Sequence, residues 1–339
     1  MMSIEKDVSL RKYNTFGVEA KTLFFTDVDS VEALSSALQQ KDQYLPLLIL
    51  GGGSNILLTR DFEGLTMRIN LKGISVVREN PKEVFVKVMA GENWEDFVKY
   101  SIENDWGGVE NLTLIPGNTG TAPMQNIGAY GVEIKDVFHT LEALEIQTGH
   151  VSVFSREQCR FGYRDSYFKQ EGKNKFIILS VTFRLTKTDH ILNTGYAGID
   201  QEIKSLGLTS PTIADIANII RKIRKSKLPD PQLTGNAGSF FKNPVVGNKT
   251  LSQLKKLFPD IPYFTIDHEK VKIPAAFLIE QAGWKGFRRG DAGVHHKQPL
   301  VLINYGQATG KEILQLAQEI VDHIHGKFNI QLEKEVNVI

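Results

Sequence analysis

Three consecutive glycines interrupt an apolar stretch, and this feature constrains the fold more than any other. Residues 45–50 are apolar and read as a buried strand; Gly51-Gly52-Gly53 follows, and Ile56-Leu57-Leu58 resumes the apolar character. Glycine tolerates positive φ and the close approach of other atoms, at a cost in chain entropy. After a strand, such a turn can aim several N–H groups at one anion. Ser54 and Asn55 add side-chain donors, so Gly51, Gly52, Gly53, Ser54 and Asn55 together suit a diphosphate. On its own, a triple glycine is more often a plain turn. Two familiar phosphate loops fit badly. A P-loop needs lysine and then serine or threonine after its last glycine, and a Rossmann fingerprint opens a helix. Here the turn leads into what looks like another strand.

A second glycine-rich loop spans residues 116–131, with Gly117, Gly120, Gly128 and Gly131 joined by Ala122 and Ala129. Small residues let backbone approach something flat and large, and the loop amides could pair with the edge of a ring system. Its threonine, proline and asparagine content argues for an ordered loop rather than a flexible one.

Around these loops, short strands and helices alternate without internal repeats. Val84, Val86 and Val88 alternate as in a strand, and Trp94, Phe97, Val98 and Ile102 fall at helical spacing, with Gly107-Gly108 as the stop. Residues 144–154 read as a hairpin turning at Thr148-Gly149, and residues 176–185 as one long strand. From about residue 211, Ile213, Ile216, Ala217, Ile220 and Ile223 form an apolar helical stripe. Arg221, Lys222, Arg224, Lys225 and Lys227 crowd its last turn, where cations suit the helix dipole. All but Lys227 read as a solvated helix end. Pro229-Asp230-Pro231 then breaks the chain, as a linker would. Thr309 and Glu312 make a capping box, Gly326 is placed to end that helix, and the last segment alternates. Phe328, Ile330, Leu332, Val336 and Val338 share one face; Gln331, Glu333, Glu335 and Asn337 share the other.

Bulk properties set outer limits. The 339 residues suggest two or three domains at roughly 100–200 residues each. A net charge of +1 gives no global field to attract nucleic acid or a membrane surface. The single cysteine, Cys159, excludes an intrachain disulfide, fits a reducing compartment, and reads as a small buried hydrophobe. No stretch approaches 18 apolar residues, and the charged residues 1–12 do not resemble a signal peptide. His295-His296 tempts as a metal pair, but adjacent histidines project differently and no further ligand set accompanies them, so no zinc is expected.

Several motifs follow one another along the chain: Asn14-Thr15-Phe16-Gly17, the turn at Gly51, Ile115-Pro116-Gly117, Gln125-Asn126-Ile127-Gly128-Ala129-Tyr130-Gly131, Phe161-Gly162-Tyr163-Arg164-Asp165-Ser166, Lys227-Leu228-Pro229-Asp230-Pro231, and Gly235-Asn236-Ala237-Gly238-Ser239-Phe240-Phe241-Lys242-Asn243-Pro244. Together they closely resemble the UDP-N-acetylenolpyruvoylglucosamine reductases, flavoenzymes of bacterial peptidoglycan synthesis, from about Asn14 to the C-terminus. The resemblance implies an α+β fold. A vanillyl-alcohol-oxidase-like (PCMH-type) FAD-binding region would comprise two subdomains, residues 1–70 and 71–229. A third α+β domain, residues 230–328, would bind substrate over the flavin, and residues 329–339 would return to the flavin region as a final strand. It further implies a cytoplasmic enzyme with non-covalent FAD, reduced by NADPH, that converts the enolpyruvyl ether of UDP-N-acetylglucosamine enolpyruvate to the lactyl ether of UDP-N-acetylmuramate. Nucleic acid and membrane insertion have no part in this.

The resemblance also assigns roles. Gly51, Gly52, Gly53, Ser54, Asn55, Pro116, Gly117, Gly120, Thr121, Ala122, Asn126, Ile127 and Gly128 would hold FAD, while Tyr163, Tyr196, Lys227, Asn243 and Gln298 would bind substrate. Tyr196, in Thr194-Gly195-Tyr196-Ala197-Gly198, resembles a tyrosine loop that closes over substrate. Hydride added to the β-carbon leaves charge on the α-carbon, which needs a preplaced cation or donor and then a proton. Arg164 would hold the carboxylate and the developing enolate; by residues alone it reads as a surface ion pair with Asp165 or Glu157. Ser239 would supply the proton; by residues alone it reads as a loop serine capping a turn. Glu335 would face the enolate and so has to carry a proton, which burial favours; by periodicity alone Glu333 serves almost as well. Two other classes stay open on the residues: an FAD-dependent oxidase or dehydrogenase of a hydroxy acid or sugar, and a non-catalytic flavin- or nucleotide-binding module.

Overall fold

A computed structural model describes residues 3–196 and 198–339. Met1, Met2 and Ala197, the last in the stretch that carries Tyr196, lie outside the described residues. Two compact units divide the chain. One takes residues up to Val8, Thr22–Gly52 and Glu63–Ser226; the other takes Ser9–Lys21, Gly53–Phe62 and Lys227–Ile339. One boundary therefore cuts the triple glycine between Gly52 and Gly53, and another falls just before Pro229-Asp230-Pro231.

The first unit is built on a five-stranded antiparallel sheet, in the order Val151–Ser155, Phe138–Glu145, Phe176–Thr186, Glu83–Met89, Ile74–Glu79. The central position of Phe176–Thr186 explains its near-continuous apolar run, since a strand covered on both faces has no wet side. Val84, Val86 and Val88 bury against Trp94, Phe97 and Val98 of the helix Trp94–Glu103. Phe85 points to the other face yet is also buried, beneath the Arg78 guanidinium 3.8 Å from its ring and the His139 imidazole. Gly149, at φ 72°, turns the expected hairpin.

Three expectations about these elements need correction. The helix Trp94–Glu103 ends at Asn104, before Asp105 at φ 56°, not at Gly107-Gly108. A short polar side chain tolerates the left-handed region, so aspartate does the work expected of glycine. The strand before the triple glycine is Leu47–Leu50 and is only half-buried before Leu50. It lies at the edge of a four-stranded sheet (Glu5–Ser9, Lys21–Val28, Phe62–Ile69, Leu47–Leu50) and pairs in parallel with Phe62–Ile69 alone. The basic end of the helix Ile213–Lys227 is not uniformly solvated: Arg221 pairs with Glu95 at 3.0 Å and Arg224 donates to the Leu114 carbonyl at 3.1 Å.

In the second unit, the helix Gly310–Phe328 carries the main apolar stripe, from Ile313 through Leu316, Ile320 and Val321 to Ile324. It packs with Ala275–Gln281, Phe240, Phe241 and the small sheet of Arg288–Arg289, Ala292–Val294 and Leu302–Asn304. The capping box at Thr309 forms as the sequence indicated, but the helix runs past Gly326 and stops at Asn329, φ 54°. Beyond it the expected single alternating strand fails, because the segment changes partners. Lys242 N–H donates to Glu333, Glu335 N–H donates to Phe240, and Asn337–Val338 then pairs in parallel with Ile56–Leu57. That switch buries Glu335 and Val336 side by side and leaves Val338 exposed.

Candidate functional site

Both glycine loops contribute to the first unit, where they pack on each other. A Cβ on Gly52 would stand 2.9 Å from Asn118 Oδ1 and 3.0 Å from Gly117 Cα, and one on Gly51 would overlap the Thr121 side chain. Only glycine permits this approach. The second loop is ordered, as its composition indicated, and its N–H groups are largely spent on the fold. Thr119 donates to Glu92, Gly120 to Ala90, Thr121 to Asn118, Ala122 to Thr119, Asn126 to Pro123 and Ile127 to Ala122. These six amides are committed to the fold, so a ligand would meet the loop's surface and carbonyls at those positions. By contrast, among the described residues neither the Gly52 nor the Gly53 N–H donates to a main-chain carbonyl. This fits the triple glycine to an anion. Thr119 Oγ1, which sequence reasoning missed, is buried beside the loop turn and has no partner among the described residues.

Asn126 organises the next part. It sits at φ 47°, fully buried; its Nδ2 donates to Glu133 and to the Gly162 carbonyl, both at 2.9 Å, and its Oδ1 accepts from Lys135 N–H. Every polar group of this side chain is used, so Asn126 shapes the site and presents only backbone to a ligand. The Gly162 contact fixes the turn that carries Tyr163 and Arg164. Arg164, at φ 53°, donates from Nη2 to the Gly128 carbonyl at 2.8 Å and lies over the Tyr163 ring. Its neighbour Asp165 is engaged by Gln170, and Glu157 by Ser155. Arg224, half-buried behind the loops, has its pKa lowered, first by burial, with Tyr130 and Glu95 opposing and Arg164 adding to the shift. Tyr196 is 43% exposed and meets the Tyr130 ring edge-on at 5.2 Å.

The second unit gathers segments that are far apart in sequence. Gly53, at φ 61°, lies so close to Tyr13 that a Cβ would overlap the Tyr13 carbonyl. Thr15 N–H donates to Gly53, and Asn236 N–H donates to Thr15. The Asn14 motif thus ties Gly53 to the Gly235 motif. Ser239 is half-buried opposite Val301, and Glu335 N–H reaches Phe240, the residue after Ser239, at 2.8 Å. Asn55 Nδ2 donates to the Glu335 carbonyl at 3.3 Å. Glu335 is 9% exposed, whereas Glu333 is exposed and pairs with Lys242 at 3.2 Å. Burial separates the two glutamates that periodicity could not.

Gln298 turns the chain back toward Ser239, since Val301 N–H donates to its carbonyl; its Oε1 is buried without a partner among the described residues. Asn243 is partly committed, with Oδ1 accepting the Ala275 N–H at the start of Ala275–Gln281. Lys227 is exposed. His295 is buried and its Nδ1 accepts from Gln298 N–H. Among the described residues no group of three or more His, Cys, Asp and Glu is placed to hold a metal. Cys159 is fully buried, and burial pushes its thiol up to about 12, the behaviour of a core residue.

A glycine turn packed on an ordered second loop in an α+β unit suits a protein that binds FAD. Residues 23–155 match the family described as FAD binding domain, and residues 230–339 match the C-terminal domain of UDP-N-acetylenolpyruvoylglucosamine reductase. The chain is 49% identical to the UDP-N-acetylenolpyruvoylglucosamine reductase of Flavobacterium johnsoniae over all of both chains. It is 47% identical to that of Pseudomonas fluorescens over 99% of each. The crystal structure of the Thermus caldophilus reductase has the same fold, with a TM-score of 0.67 at 24% identity over 100% of this chain and 99% of that one. The chain belongs to the UDP-N-acetylenolpyruvoylglucosamine reductase family.

Proposed function

We propose that this chain reduces UDP-N-acetylglucosamine enolpyruvate to UDP-N-acetylmuramate in peptidoglycan precursor synthesis, in the cytoplasm, with NADPH as reductant. Non-covalent FAD, when bound, supplies hydride transfer from NADPH to the β-carbon of the enolpyruvyl group. Gly51, Gly52, Gly53, Ser54 and Asn55 hold its diphosphate. Residues 116–128 line its ring system, with Asn126 acting through the loop it shapes. Arg164 grips the substrate carboxylate and stabilises charge developing on the α-carbon. Ser239 gives that carbon its proton, and buried Glu335 carries a proton of its own toward the enolate. Tyr163, Tyr196, Lys227, Asn243 and Gln298 bind the substrate, Tyr196 from a loop that closes over it. The pairing of the final segment with Ile56–Leu57, next to Asn55, supports its return to the flavin region.

One observation carries this reading. The buried Glu335 is hydrogen-bonded to the residue next to Ser239 on one side and to Asn55 on the other. An oxidase or a passive flavin carrier needs neither the serine nor the glutamate. Separating the two half-reactions tests it. Ser239→Ala is expected to leave flavin reduction by NADPH nearly intact and to slow flavin oxidation by substrate on the order of a hundredfold. Equal losses in both would make Ser239 structural.

A further inference from the structure

Leu114 has a backbone conformation that leucine avoids, φ 56°, two residues before Pro116 opens the second glycine loop. A bulky side chain in the left-handed region is a genuine outlier, and such strain persists only where surrounding groups over-determine it. Here two opposite charges hold its peptide groups. The Glu95 carboxylate accepts the Leu114 N–H and the Thr113 hydroxyl, and Arg224 donates to the Leu114 carbonyl at 3.1 Å. Arg221, one helical turn before Arg224, pairs with Glu95 at 3.0 Å. Both members of that pair are largely buried, with side-chain exposures of 22% and 14%. Glu95 is itself fixed in the first turn of its helix by the Asn93 cap, and Trp94 N–H reaches the Gly117 carbonyl at 3.0 Å. The loop is thus gripped at Leu114 and at Gly117 by adjacent residues of one helix end.

We propose that Glu95, with Arg221 and Arg224, is a positioning residue that clamps Leu114 in its strained conformation and so presets the 116–128 loop for FAD. This rests on the reading of that loop as the flavin cradle. The clamp acts through charge-assisted hydrogen bonds, which are about twice as strong as neutral ones and suit a job of holding strain.

The test compares the holoprotein with E95Q, L114G and E95Q/L114G, measuring FAD release on dilution by flavin fluorescence and the thermal midpoint of each apoprotein. Glutamine keeps the shape of the side chain but not its charge, so E95Q is expected to weaken FAD binding on the order of tenfold. Glycine takes the left-handed conformation without strain, so L114G in the E95Q background restores the wild-type Kd to within about twofold. Unchanged FAD affinity in E95Q overturns the proposal, as does a loss that L114G fails to rescue. If E95Q yields no folded protein, the double variant decides: folded and FAD-binding supports the clamp, unfolded overturns it. A wild-type protein with no FAD affinity defeats the flavin reading instead.

Discussion

His295 shows how a buried residue outside the proposed chemistry can tie stability to pH. Burial first, then His296 and Lys297, hold its pKa below the usual imidazole value, and its Nδ1 accepts the Gln298 N–H only when neutral. A folded pKa below the unfolded one means full stability above the unfolded value of about 6.5, lost as pH falls through the folded pKa. Asparagine offers a comparable acceptor that does not titrate. His295→Asn is therefore expected to lose less thermal stability than wild type between pH 7.5 and 5.5; equal losses would mean His295 is not the titrating group. Sequence was a fair guide to which residue types matter and a poor guide to their partners. Arg221 and Arg224 read as solvent-facing because Glu95 and Leu114 lie 126 and 110 residues away. Periodicity could not tell Glu335 from Glu333, because burial of the one accompanies a backbone hydrogen bond to Phe240, far upstream in the chain.

At the scale of elements, starts were legible and ends were not. The box at Thr309 is a local pattern and formed as read. Both misplaced helix ends, at Asp105 and Asn329, lie at residues other than glycine in the left-handed region, so the nearest glycine misled. Gly326 consequently sits inside a helix, exposed, with nothing within 4 Å of a Cβ. Gly326→Ala is then expected to stabilise the protein by about 0.5–1 kcal/mol, seen as a rise in Tm; a lower Tm would put the helix end back at Gly326. The position of Leu47–Leu50 at a sheet edge was equally invisible, since an apolar run does not say whether one or both sides of a strand find partners.

For the whole molecule, the order of motifs along the chain carried the family and much of the fold class. What order cannot convey is convergence. Asn14-Thr15, Gly53, the Gly235 motif and the Glu335 segment meet through backbone hydrogen bonds, although they come from the start, the first quarter, the last third and the end of the chain. Likewise the triple glycine looked like one device, yet its members divide between two compact units, Gly52 in one and Gly53 in the other. The proposed reaction asks this assembled set to take part in both flavin binding and protonation of a carbanion. The direct test is NADPH oxidation by the FAD-loaded protein with UDP-N-acetylglucosamine enolpyruvate present and absent. Turnover that requires the enolpyruvyl substrate and yields UDP-N-acetylmuramate mole for mole is expected. A yellow, NADPH-reducible protein that ignores the substrate would contradict the account.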